Sequence, residues 1–363
     1  MRRLIFNLHL YTALAAAAFV LLMGLTGSIM AFEPEIDRFL HRRIAYVQPE
    51  PGDLSLAEIG AIVNGAFPGD RIFAYYLSPS PNLSCQVVLE NSGTVYINQH
   101  TGKILGVRPD QLEFLDLVHQ LHIRLAWRHD GDPGKRIMSW AAVAMLLLLL
   151  SGLYLWWPVK RFVITKGAAG RRWWFDLHNS VGIFSFVFLL VLTITGISIG
   201  FEQTSNPLFY KLTGSQPSPQ PRIPSPPPAA TPIPMGQAVE IARKAVPGAA
   251  AFALIVPNPT GAYRVLMRFP EDRTPGGRSR VLVDQYTGQV LFAEGSRTAP
   301  GGARVTIANR AIHTGDIFGL PSKAVMSLAS LMLVLQACSG LVMWWKRTRA
   351  KRDVSPVAKQ GVS

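Results

Sequence analysis

Four uninterrupted apolar runs organise the chain, at 11–32, 137–157, 181–201 and 324–345. Each holds ~20 residues, enough for a helix to cross a ~30 Å hydrocarbon layer. None carries a charge in its interior. Between the first and second runs, and between the third and fourth, the pattern changes. Segments 54–66 and 235–245 have apolar residues at helical spacing. Each is followed by a Pro-Gly turn and then by alternating segments, such as 84–90 and 263–269, that predict strands. The last strand pair of each half turns at Thr101-Gly102 or Thr287-Gly288. Segment 217–234 holds nine prolines in 18 residues and reads as a stiff linker. The first run is too long for a signal-peptide core and has no small-x-small cleavage site before Glu33, so the sequence predicts a retained span.

The chain repeats itself. Phe6-Asn-Leu-His9 matches Phe175-Asp-Leu-His178, and the match runs without gaps through Thr26-Gly27 against Thr195-Gly196 to Phe32-Glu33 against Phe201-Glu202. Ser151-Gly-Leu-Tyr-Leu-Trp-Trp157 matches Ser339-Gly-Leu-Val-Met-Trp-Trp345. Val95-Tyr-Ile-Asn-Gln-His-Thr-Gly102 matches Val281-Leu-Val-Asp-Gln-Tyr-Thr-Gly288. Each half therefore reads as helix, external α+β unit, helix, and both halves enter from the same side, which predicts a parallel repeat about an axis along the membrane normal.

Composition agrees with a membrane protein: 49% of residues are hydrophobic and only 16% charged, against about 25% in soluble domains. The net charge of +14 raises the possibility of nucleic acid, but its location argues otherwise. Arg2 and Arg3, then Lys160, Arg161, Lys166, Arg171 and Arg172, then Lys346, Arg347, Arg349, Lys351, Arg352 and Lys359 all fall on one side of the spans. The positive-inside rule makes that side cytoplasmic, with both termini inside, and leaves no role for nucleic acid. Two distant cysteines, Cys85 and Cys338, exclude a disulfide scaffold, a CxxC redox pair and a CxxCH haem attachment.

Histidine positions carry the chemistry. His9 and His178 share one repeat position at the cytoplasmic ends of their spans, and His122 and His313 correspond across a three-residue gap near the external face. One histidine pair per leaflet is the arrangement that two non-covalent, bis-histidine b-type haems require, each iron taking an imidazole from each half. A lone boundary histidine is more often a hydrogen-bonded surface residue; repetition at two depths favours ligation. Gly24, Gly27, Gly196 and Gly200 would let helices approach closely. For the propionates, Arg2, Arg3, Arg171 and Arg172 are available inside, and Arg124 and Arg310 outside. His119, three residues before His122, could replace it or bond a propionate, and reads better as a satisfied surface residue. His41, His100 and His129 read as solvated, and Glu33 and Glu202 as helix ends. No catalytic acid, base or nucleophile stands out.

Asp176-Leu-His178, Ile312-His-Thr-Gly-Asp-Ile-Phe-Gly319, the Thr-Gly hairpins and the Ser-Gly-Leu-x-x-Trp-Trp helix ends together resemble the PepSY-associated transmembrane family of iron-regulated inner-membrane proteins, over roughly residues 1–350. The stretch Leu121-His-Ile-Arg124 departs from the His-x-Gly pattern seen at His313. The expected fold class is membrane α-helical, four transmembrane helices as two parallel repeats, with two small α+β, PepSY-like periplasmic domains. Its expected divisions are an N-terminus at 1–10, the first span at 11–32, a periplasmic domain at 33–136, the second span at 137–157, and a cytoplasmic loop at 158–180. The third span at 181–201, a second periplasmic domain at 202–323, the fourth span at 324–345 and a basic tail at 346–363 complete them. The resemblance implies an inner-membrane reductase that delivers electrons to a ferric siderophore in the periplasm and releases iron(II), fed by a quinol or a cytoplasmic reductase. The competing readings are a membrane-anchored PepSY module that regulates a peptidase without redox activity, and a siderophore permease. Against the permease, no span is interrupted or charged.

Overall fold

The computed structural model describes residues 1–354 apart from 78–79, 110–112, 128, 161, 226–229 and 275. Arg161, the centre of the proline-rich linker and the tail from 355 on, with Lys359, lie outside the described residues. In chain order the helices are α1 (Arg2–Met30), α2 (Glu33–Leu40), α3 (Arg42–Ala45), α4 (Leu56–Ala66), α5 (Phe114–Arg124), α6 (Pro133–Trp156), α7 (Gly170–Gly200), α8 (Glu202–Leu212), α9 (Met235–Ala245), α10 (Gly301–Thr314) and α11 (Leu320–Val354). The strands are β1 (Ile72–Tyr76), β2 (Cys85–Leu89), β3 (Thr94–Ile97), β4 (Ile104–Arg108), β5 (Ala250–Ile255), β6 (Ala262–Arg268), β7 (Ser279–Asp284) and β8 (Val290–Glu294). The chain divides into two compact units, one of Met1–Glu33, Phe114–Ser205 and the chain from Asn309, the other of Pro34–Glu113 and Asn206–Ala308.

The first unit is a helical bundle. Its four long helices α1, α6, α7 and α11 are long and apolar enough to cross a membrane. α1 packs on α6 and α11, and α7 packs on the same two, so the four close into a ring. Ala16, Val20, Met145, Leu149, Leu189, Ala329 and Leu333 form its core. Close approach relies on small residues: a Cβ on Gly24 would come 2.8 Å from the Ser330 carbonyl, and one on Gly200 would come 2.5 Å from Ser139 Oγ. All four helices are longer than their apolar runs. α1 starts at Arg2 and α7 at Gly170, so His9 and His178 lie inside helices, about two turns from the N-terminal end. α6 is started by Asp132, whose side chain accepts from the Lys135 amide, with Pro133 at the first helical position. The turn from α10 into α11 is held by a buried ion pair, Lys323 Nζ to Asp316 Oδ1 at 3.3 Å.

The second unit contains a difference from the sequence expectation. The two α+β units are joined: β1 pairs with β5, and all eight strands form one antiparallel sheet in the order β4-β3-β2-β1-β5-β6-β7-β8. Tyr75 and Leu254 lie opposite each other at the seam. α4 and α9 supply Ile59, Val63, Ala238, Val239 and Ala242 to a core completed by Val87, Val95, Val265, Val281 and Val283 from the strands. α4 begins with a capping box between Ser55 and Glu58.

The repeated Thr-Gly hairpins show why the local sequence is repeated. Gly102 and Gly288 have φ of +75° and +73°, a region that favours glycine. Just before them, the Asn98 side chain accepts from the His100 and Thr101 amides, and Asp284 from those of Tyr286 and Thr287. Gln99 and Gln285 then reach across to the proline carbonyls Pro81 and Pro259. His100 and Tyr286 do the same: Nε2 of His100 lies 3.0 Å from the Pro81 oxygen, and the Tyr286 hydroxyl donates to the Pro259 oxygen at 2.7 Å. His100 is thus no solvated residue. Its side chain is 3% exposed, and its Nδ1 faces Asp53 Oδ1 at 2.8 Å.

Oxygen acceptors face both ring nitrogens of His100, which favours its protonated form. Its pKa is raised, chiefly by the Pro81 carbonyl. A histidine whose folded pKa is raised stabilises the fold fully below its unfolded pKa of ~6.5, and loses that contribution as pH rises through the folded value. The protein in detergent is therefore expected to unfold at lower temperature as pH rises above ~6.5. His100→Tyr, which copies the second repeat, should keep the loop anchored and flatten that dependence. Parallel pH profiles for the two proteins would contradict this assignment.

Candidate functional site

The bundle brings four of the sequence-predicted site residues together as two pairs. His9 on α1 and His178 on α7 have ring centroids 6.4 Å apart, with planes at 89°. His122 on α5 and His313 on α10 also have centroids 6.4 Å apart, with planes at 51°. Gly27 packs under the His122 ring, 18 residues along α1 from His9, and Gly196 packs under His313, 18 residues along α7 from His178. At 1.5 Å per residue the two pairs are separated by ~27 Å along the bundle, close to the thickness of a hydrocarbon layer.

Each ring is seated in the same way. Nδ1 of His9 lies 2.9 Å from Ser151 Oγ, and that of His178 lies 2.9 Å from Ser339 Oγ. Nδ1 of His122 lies 2.8 Å from Thr26 Oγ1, and that of His313 lies 3.0 Å from Thr195 Oγ1. Glycines next to these hydroxyls make room for the rings: Gly152 and Gly340 under His9 and His178, Gly27 and Gly196 under His122 and His313. A Cβ on Gly196 would stand 3.0 Å from His313 Cε1, and one on Gly27 would stand 3.3 Å from His122 Cε1.

The hydroxyl protons settle the tautomers. A serine or threonine has one O–H to give. Ser151 gives it to the Leu147 carbonyl at 2.6 Å, Thr26 to Leu22 at 2.6 Å, Thr195 to Val191 at 2.7 Å, and Ser339 to Gln336 at 3.0 Å. Toward the ring each oxygen can then only accept. All four imidazoles therefore carry their proton on Nδ1 and their lone pair on Nε2. Among the described residues no hydrogen bond falls on Nε2 of any of them. Burial also keeps the outlying pair neutral, pushing His122 down to about 3 and His313 to about 4.

Two nitrogen–metal bonds of ~2 Å, with ~1.2 Å from each ring centre to its nitrogen, span ~6.4 Å, the separation found in both pairs. Among the described residues no group of three or more His, Cys, Asp or Glu side chains could hold a metal. A metal at either pair must take its other ligands from a non-protein group, since two imidazoles do not complete a zinc site.

Beside His9 and His178 is a cavity of about 610 Å³, within the ~300–1,000 Å³ usual for small-molecule sites. Its walls are apolar, with Ala13, Ala17, Leu149, Phe186 and Leu333 among them. Arg2, Arg3, Arg171 and Arg347 line it as well, all from the ends of helices at the level of His9 and beyond. Arg172 is not part of that lining. Its Nε binds Asp176, which is fully buried and also accepts from the Thr165 amide. Near the other pair, Arg124 Nη1 lies 3.4 Å from Asp132, and the charge of the exposed Arg310 bears on His313 and His119. His119 is turned to Glu33, 3.2 and 3.3 Å from its oxygens, and that contact raises its pKa. The structure thus brings His122, and not His119, against His313.

Sequence reasoning passed over Ser151, Ser339, Thr26, Thr195, Gly152 and Gly340. All six lie inside the repeated motifs, and their repetition was the available signal.

Residues 6–347 match the family described as the PepSY-associated TM region. The chain belongs to that family. It is also similar to an uncharacterised protein of Pseudomonas aeruginosa, 30% identical over 146 residues. That match covers 36% of this chain and 33% of the relative, about a third of the relative's length.

Proposed function

We propose that this protein is an inner-membrane electron conduit that holds two b-type haems and reduces a ferric siderophore on the periplasmic side, with both termini in the cytoplasm. The observation that carries the reading is the pair of matched imidazole sites, each with 6.4 Å between ring centroids and every Nδ1 committed to a hydroxyl. His9 with His178, and His122 with His313, would be the axial ligands. Apolar walls and four arginines at the His9 level suit a flat macrocycle with an anionic edge. Bound haem supplies one-electron chemistry.

The chain's own residues have four tasks. The histidines ligate, the hydroxyls fix their tautomer, the arginines balance anionic groups, and the uncharged helix interiors keep water out. A separation of ~27 Å suits one pair toward each face of the bilayer, as two halves in a parallel repeat would give. The substrate iron gains one electron. It leaves as iron(II), because oxygen chelators hold iron(III) far more tightly. The electron comes from a quinol or a cytoplasmic reductase. No proton transfer is needed at the substrate iron.

The test is the visible spectrum of the purified protein. Dithionite reduction should give sharp b-type bands, and pyridine extraction should return about two haems per chain. Protein purified from haem-replete cells without those bands would overturn the reading.

A further inference from the structure

We infer that Ser151, Ser339, Thr26 and Thr195 are positioning residues that set the reduction potentials of the two sites, each pair acting on one site alone. This rests on the haem reading above. Each hydroxyl spends its one proton on a backbone carbonyl of its own helix, three or four residues back. What it offers the imidazole is an oxygen lone pair, at 2.8–3.0 Å from Nδ1. A ring N–H that donates to a fixed acceptor becomes more electron-rich at its other nitrogen. That nitrogen, Nε2, is the one left free to ligate. A more basic ligand stabilises the ferric over the ferrous state, so these four contacts hold both potentials down.

Three features separate this from generic helix packing. The four contacts fall at two pairs of repeat-related positions, Ser151 with Ser339 and Thr26 with Thr195. The residue after each hydroxyl is a glycine that seats the same ring. The two sites also use separate hydroxyls, so each can be altered without touching the other.

The test is a redox titration of the whole purified protein, read by absorbance. In Ser151→Ala/Ser339→Ala the site of His9 and His178 should shift toward reduction by about tenfold in its equilibrium, ~59 mV upward for one electron. The other site should stay put. Thr26→Ala/Thr195→Ala should shift the second site and spare the first. Ser151→Thr/Ser339→Thr keeps the acceptor and should keep the wild-type potential. Should the alanine pair lose haem, Ser151→Cys/Ser339→Cys, with a weaker acceptor of similar size, should still raise the potential of the site it retains. Unchanged potentials in variants with full haem, or equal shifts at both sites, would overturn this inference while leaving the haem reading intact. A wild-type protein without haem would overturn the haem reading itself and this inference with it.

Discussion

His178→Ala is expected to remove about half of the bound haem, leaving one site filled and the other empty. The reason is geometric. The His178 ring stands 6.4 Å from that of His9, and among the described residues no third His, Cys, Asp or Glu joins the pair as a metal-holding group. The His122 and His313 pair is ~27 Å away along the bundle and shares no side-chain contact with it. Its haem should stay. Ferric reduction should nevertheless fall to background, since the proposed electron path crosses both sites. The ring of His178 sits on Gly340, so its removal leaves a slot of imidazole size against a bare backbone. Added imidazole should therefore restore the lost bands in His178→Gly, the variant with most room. His100→Ala serves as the control. It disturbs a hydrogen-bonded histidine in the sheet unit and should leave the haem content unchanged. Equal haem loss in the two alanine variants, or full haem in His178→Ala, would end the assignment of ligands.

Much of the bundle was legible because its determinants are local. Twenty apolar residues in a row specify a span whatever surrounds them, and the ungapped match of His9 with His178 placed two rings at one depth. That match made the pairing of His9 with His178 readable, whereas pairing His122 with His313 needed a three-residue gap. What escaped depended on neighbours that the repeat does not encode. Asp176 lies in the matched motif opposite Asn7, and only the fold shows that it captures Arg172 and so removes that arginine from the cavity. The single eight-stranded sheet was hidden because the β1–β5 pairing joins the two halves across ~180 residues. The run Ile72-Phe-Ala-Tyr-Tyr76 is apolar or aromatic throughout and does not say which edge it seeks. His100 was misread because its repeat partner is a tyrosine. The shared feature is a donor aimed at Pro81 or Pro259, a role that imidazole and phenol fill equally well. The serine and threonine beside the rings were passed over since a hydroxyl in an apolar helix usually satisfies itself on its own carbonyl. These do so, and their second lone pair is what matters.

Lys323→Met is expected to destabilise the protein by about 3–5 kcal/mol, the cost of leaving a buried charge without its counter-ion. Lys323 and Asp316 are 6% and 7% exposed, and the ammonium lies 3.3 Å from Oδ1. The other carboxylate oxygen accepts from the Thr314 hydroxyl at 2.6 Å. The pair spans the turn that carries the chain from α10 into α11. That turn is already tight: Gly315 has φ of +79°, and a Cβ there would lie 2.9 Å from the Lys323 Cα. Methionine fills nearly the volume of lysine, so packing is preserved and the loss is electrostatic. His313 stands three residues before Asp316, so the same variant should weaken haem at the His122 and His313 pair while sparing the other. Asp316→Asn/Lys323→Met removes both charges and should recover most of the stability, since a neutral amide can keep the Thr314 contact. Thermal unfolding in detergent and the haem-to-protein ratio, measured on the two single variants and the double, complete the cycle. A Lys323→Met protein as stable as the wild type, or a double variant no better than the single, would show that this ion pair does not hold the turn.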